Sequence, residues 1–178
     1  MKFSNLFCAV ALMAGPILSC YGSPDIPGKD DWSSWRGPNR NGHAAPSQEL
    51  PASLDPAKHT LWDVGIPGRG HGSPIVVGEH IYLVTADEDK QTQSLLAYDR
   101  DTGNPAWTTV IHSGNFPERI NRKATHANNS PAHDGEKLYV TFVNDGAACA
   151  TALNLKGEKV WTIRLTDYTD HQGSGASP

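Results

Sequence analysis

Residues 97–107 read AYDRDTGNPAW, and the same layout returns at 152–161 as ALNLKGEKVW, one residue shorter. Each copy follows a Ser-Pro pair and a strand-like run. Ser73-Pro74, Gly78 and Tyr82 in the first copy match Ser130-Pro131, Gly135 and Tyr139 in the second, all displaced by 57 residues. A third Ser-Pro pair occupies Ser177-Pro178. A period of roughly 40–55 residues with several short strands per unit points to a β-propeller or a related array.

The first unit divides into four strand-like runs. Residues 73–77 form the first, closed by Gly78-Glu79. Residues 80–86 form the second, rich in the β-branched and aromatic side chains that suit a pleated, half-buried surface. Residues 94–98 and 106–111 supply the third and fourth. The turn between them has its own chemistry. Asp99 can accept hydrogen bonds from backbone N–H groups two or three residues on, and Gly103 can take the positive φ of a bulged hairpin. Trp107 then falls early in the fourth strand. There its ring can fill the gap between neighbouring sheets and its indole N–H can reach a carbonyl across that gap.

Ala97, Asp99, Thr102, Gly103 and Trp107 match the A-x-D-x-x-T-G-x-x-x-W tryptophan-docking motif, and the chain resembles quinoprotein-like propellers, the pyrroloquinoline-quinone-like repeat family. It is especially similar to secreted members that open with W-x-x-W-R-G-P-x-x-x-G, read here from Trp32 through Trp35, Arg36, Gly37 and Pro38 to Gly42. The resemblance covers residues 32–178. It implies an all-β propeller of four-stranded antiparallel blades, with a closing strand at about 60–66 around Trp62, blades at 73–111 and 130–165, and the start of a further blade at 176–178. Since a closed propeller needs about 4–8 blades, this reading makes the chain a partial propeller. The second copy departs from the motif. Asn154 stands for the Asp, Lys156-Gly157 stands for Thr-Gly, and Trp161 keeps the ring.

Residues 1–22 read as a targeting segment, with Lys2 before an apolar run at 6–18 that is too short to span a bilayer. Ile17-Leu18-Ser19-Cys20 resembles a lipobox with Cys20 as the lipidated residue; ordinary cleavage near Gly22 is the alternative. Either places the protein outside the cytoplasm: periplasmic, extracellular, or on the outer membrane through a lipid. Residues 23–58 are rich in Pro, Gly, Ser and Asn and read as a linker and irregular cap, with Trp32 and Trp35 pinning it to the propeller. Of three cysteines only Cys149 lies beyond the leader, so no intrachain disulfide is expected there. A formal net charge of −4 gives no basic patch for nucleic acid.

Candidate ligand-binding residues cluster before the Ser-Pro pairs. His71, His126 and His171 sit two, four and six residues ahead of Ser73, Ser130 and Ser177. In a propeller these segments gather on one face around the axis, where imidazoles can hold a metal or an anion. Unequal offsets and the lack of HxH or HExxH spacing favour loop hydrogen bonding instead, and no metal is assigned. Arg119, Arg122, Lys123 and His126 make a basic cluster in the insert at 113–129, and Asn128 and Asn129 follow it. Such an insert is where binding residues concentrate. Asp87-Glu88-Asp89 lacks the further acceptors of a calcium loop. Gly68-Arg69-Gly70 precedes a strand rather than a phosphate-binding helix. No spacing suggests a catalytic triad.

These features describe an exported propeller acting as a binding or scaffold module with protein partners in the cell envelope, similar in repeat type to an outer-membrane assembly lipoprotein. One alternative is an alcohol or sugar dehydrogenase using pyrroloquinoline quinone with calcium, as the resemblance also implies. Another is a carbohydrate or peptide binder using the insert.

Overall fold

The computed structural model describes residues 28, 31–49, 51–118, 120–169 and 173–178. The stretch read as a targeting segment, with Cys20, lies outside them, as do Arg119 and His171. Among the described residues no helix is long and apolar enough to cross a membrane.

Among the described residues eight strands make two four-stranded antiparallel sheets, each in sequence order. The first holds β1 (Ile75–Val77), β2 (His80–Asp87), β3 (Thr92–Asp99) and β4 (Pro105–Ser113); the second holds β5 (Ala132–His133), β6 (Lys137–Asn144), β7 (Ala147–Asn154) and β8 (Lys159–Asp167). The registers repeat with the sequence: Tyr82 pairs with Ala97, and Tyr139 with Ala152. Each third strand shifts register against the fourth at the same place, between Ala97 and Tyr98 and between Ala152 and Leu153, the bulge before the glycine turn. This is an all-β, unclosed, partial β-propeller.

Alternation builds the core. Tyr82, Val84 and Ala86 on β2, and Leu138, Val140 and Phe142 on β6, occupy every second position and are all at most 3 % exposed. They join Ile75, Val77, Leu95, Ile111 and Leu153 in a single apolar cluster that spans both sheets. One sheet therefore buries its apolar face against the next. On β8 every residue is exposed, including Val160, Ile163 and Leu165.

The contact between sheets is repeated too. Trp107 on β4 donates its Nε1–H to the Leu155 carbonyl at 3.2 Å, and Thr109 donates to the Gly157 carbonyl at 2.6 Å. Both acceptors lie in the turn of the second sheet. Trp62 does the same one repeat earlier, donating to the Arg100 carbonyl at 2.9 Å. Arg100 and Leu155 directly follow the turn-forming Asp99 and Asn154. Each ring lies flat over a turn glycine: a Cβ on Gly103 would stand 2.6 Å from Trp62, and one on Gly157 2.7 Å from Trp107. Both glycines have positive φ, 70° and 84°, so conformation and contact exclude a side chain together. Residues 60–66, expected as a closing strand, pair with no strand among the described residues; Trp62 docks from an irregular segment.

The turns are held as the sequence suggests for Asx residues. Asp99 Oδ1 accepts from Thr102 N and Oγ1 and from Asp101 N, and these bonds, led by the Thr102 hydroxyl, lower its pKa. Asn154 Oδ1 accepts from Lys156 N and Glu158 N, which is how the shortened copy keeps its turn. Asp134 holds the turn into β6. Its Oδ1 accepts from Glu136 N and Lys137 N, and its Oδ2 accepts from the Tyr139 hydroxyl at 2.6 Å. Desolvation alone would raise this carboxyl; the Tyr139 and backbone donors outweigh it and hold it at about 2.

Two outcomes follow for urea denaturation. Trp107→Ala should cost about 2–3 kcal/mol, below the range for a fully buried ring because Trp107 is only half-buried, and Trp107→Phe about 1 kcal/mol for the lost indole bond; an unchanged midpoint for the alanine variant contradicts the dock. A carboxyl depressed to about 2 stabilises the fold above the ordinary value of about 3.9 and loses that contribution as pH falls through about 2. Asp134→Asn should therefore lower the midpoint at neutral pH and leave it nearly unchanged below about pH 2.

Candidate functional site

The chain enters β1 and β5 through matching segments, and these meet at one end of the sheets. Ser73 donates its backbone N–H to Ser130 Oγ at 2.9 Å, and Ser130 donates its own to Ser177 Oγ at 2.9 Å. The three Ser-Pro pairs thus form a ladder from repeat to repeat. A serine oxygen that accepts here still has its O–H to donate. Asn129, 3 % exposed, braces the ladder from behind by donating to the Thr141 and Ala176 carbonyls.

A cleft of about 510 Å³ opens over this ladder, within the usual about 300–1,000 Å³ of small-ligand sites. His71, Ser73, Asn128, Ser130 and Ser177 form one wall. Ser34, Trp35 and Arg40 form the other. The second wall comes from the stretch expected as an irregular cap. That stretch includes one helical turn, α1 (Pro56–His59), started by Asp55. Its earlier part is a strap laid on the free edge of β1. Trp32 and Val76 exchange backbone hydrogen bonds of 2.7 and 3.0 Å, Gly78 N donates to Asp31 Oδ1, and His133 N on β5 donates to the Ser33 carbonyl. The strap so joins both sheets. Residues 34–42 then close on themselves through Gly37 N to Ser34 O and Gly42 N to Arg36 O.

The strap's two tryptophans part ways. Trp32 packs beneath Gly37, whereas Trp35 is 57 % exposed beside the cleft. Arg36 stands over the Trp35 ring at 5.7 Å and is steadied by the Asn41 carbonyl. Arg36 and Arg40 both have positive φ, 66° and 53°, an uncommon conformation for such residues.

Among the described residues His71 and His126 do not converge, while Arg122 shares a groove with His126. His71 reaches the cleft. His126 instead stacks on Phe116, with ring centroids 4.3 Å apart, and faces a separate groove with Arg122, Glu88 and Glu118. Gln93, fully buried, holds this insert by donating to the His126 and Val143 carbonyls. Burial lowers the pKa of His112, with Lys159 adding to it, and lowers that of His133 against the opposing charges of Asp134 and Asp31. Among the described residues no three His, Cys, Asp or Glu side chains are grouped to hold a metal. The cleft donors suit an anion or a hydroxyl-rich ligand. With no carboxylate among its described lining residues, they do not form a calcium site.

Residues 49–175 match the family model described as "Outer membrane protein assembly factor BamB". A polyvinylalcohol dehydrogenase of a Pseudomonas species is 24 % identical over 153 residues, 85 % of this chain but only 22 % of its own length. Among solved structures, a europium-containing methanol dehydrogenase aligns at 14 % identity with a TM-score of 0.39, over 77 % of this chain and 32 % of its own. A quinohemoprotein alcohol dehydrogenase of Pseudomonas putida HK5 aligns at 12 % identity with a TM-score of 0.38, over 76 % and 27 %. The chain thus spans less than a third of the first two of these proteins and of the third alike. With its repeated indole dock and a family match over most of its length, the chain belongs to the quinoprotein-like, BamB-type repeat family.

Proposed function

We propose that the chain is part of an exported β-propeller that acts as a binding module, with its ligand seated in the cleft between the strap and the Ser-Pro ladder. The observation that carries this reading is the composition of the cleft. Arg40, His71, Asn128 and four serines bring donors together, and no described lining residue is Asp or Glu. Groups arranged this way suit hydrogen-bonded recognition of a ligand, and of them His71 is also able to act as a base. Partners in the envelope fit an exported module of this repeat type.

The second reading, a quinone-dependent dehydrogenase, is favoured by the similarity to polyvinylalcohol dehydrogenase. Arg40 and His71 would suit the carboxylates of pyrroloquinoline quinone, which supplies hydride-accepting chemistry when bound. The calcium that accompanies it would need ligands from outside this cleft.

Titrating the complete protein with the quinone and calcium, while following dye reduction by alcohols and sugars, separates the two. A folded protein without turnover is expected; saturable turnover overturns the binding-module reading. Export by lipid anchoring is tested by Cys20→Ser, which should move the full-length protein from the membrane fraction to the soluble one.

A further inference from the structure

Ligand class in the cleft is divided between its two walls. The ladder wall offers neutral groups: Ser73, Ser130 and Ser177 present hydroxyls already fixed at their oxygens by backbone N–H groups or poised at the rim. Such hydroxyls pair with the hydroxyl oxygens of a polyol, which also return a proton to them. The strap wall offers what the ladder lacks. Trp35 presents a large exposed indole, one face covered by the Arg36 guanidinium, leaving the other for a flat, weakly polar surface. Arg40 brings a guanidinium that pairs with no carboxylate among the described residues. It is suited to grip a carboxylate through two parallel N–H bonds.

A platform ring, a row of hydroxyls and one guanidinium match three parts of a single molecule: the C–H face of a pyranose, its hydroxyls, and a carboxylate on the same ring. Resting on the reading of the cleft as a binding site, we propose that it takes an acidic sugar, a hexuronate unit, with Trp35 as the stacking platform and Arg40 as the carboxylate clamp. The strap is then the selective wall, and the ladder a general hydroxyl-pairing floor. The fixed geometry of residues 34–42, with its internal bonds and its two left-handed arginines, sets Trp35 and Arg40 before the ligand arrives.

The test is calorimetric titration of the complete protein with glucuronate, glucose and acetate, which share the ring or the charge but not both. Glucuronate should bind at least about tenfold more tightly than either of the others. Arg40→Gln should bring glucuronate down to the level of glucose. Trp35→Ala should weaken both sugars and leave acetate unchanged. Both side chains are exposed, so the urea midpoints of the variants should match the parent. Equal affinity for glucuronate and acetate, with Trp35→Ala silent, overturns the proposal in favour of a plain anion site. If glucuronate fails to bind while the quinone does and quenches Trp35 fluorescence, the sugar assignment falls and the cleft stands as a site. If no probe binds, the quinone included, both fall.

Discussion

The fold rests on one contact made twice: an indole laid across the turn glycine of the next repeat, with its N–H on that turn's carbonyl. Trp62 makes it to Gly103 and Arg100, and Trp107 makes it to Gly157 and Leu155. A four-stranded antiparallel sheet has two faces and cannot cover both alone. The dock fixes the neighbour's distance and angle at the outer strand, while Tyr82, Val84, Leu138 and Val140 fill the space further in. Because acceptor and glycine belong to the same turn, the contact reads conformation and shape together. Trp161 presents the same ring on β8, where every residue is exposed.

This interdependence is why the fold was legible in the sequence. The Asp99-to-Trp107 spacing names a turn, a bulge and a ring, and the 57-residue displacement of Ser-Pro, Gly and Tyr says that the unit repeats. Propagating local chemistry by a period is enough to place strands, because each strand pairs with its sequence neighbour. The missing Thr in the second turn was also readable, since Asn154 can anchor two N–H groups by itself.

The site was legible only in part, for the same reason in reverse. His71 and His126 differ by two residues in their distance from the following serine. In an extended segment, two residues carry the chain about 7 Å, enough to move one imidazole off the cleft and onto Phe116. The strap was hidden more completely. Its bridge from Trp32 to Val76 joins residues 44 apart without repeating anything, and a polar stretch rich in Pro and Gly carries no period to propagate. Gln93 gave no signal either, because a buried amide shows its purpose only when the carbonyls of His126 and Val143 are in place.

The strap also changes what the repeats can do. Repeats kept for packing converge on equivalent residues, and the Ser-Pro ladder shows the result, the same hydroxyl at each step. A wall built only from such steps presents much the same group to every part of a ligand and discriminates poorly. Selectivity needs an asymmetric element. On the proposed reading of the cleft it is the strap, a segment outside the repeats, seated on the free edge of β1 and bonded to β5 through His133. Trp35, Arg36 and Arg40 all lie on it. Variation along residues 34–42 would leave the indole docks undisturbed, because the dock bonds of Trp62 and Trp107 run to Arg100 and Leu155 and not to the strap. On the proposed reading of the cleft, packing and recognition fall on separate segments of the chain.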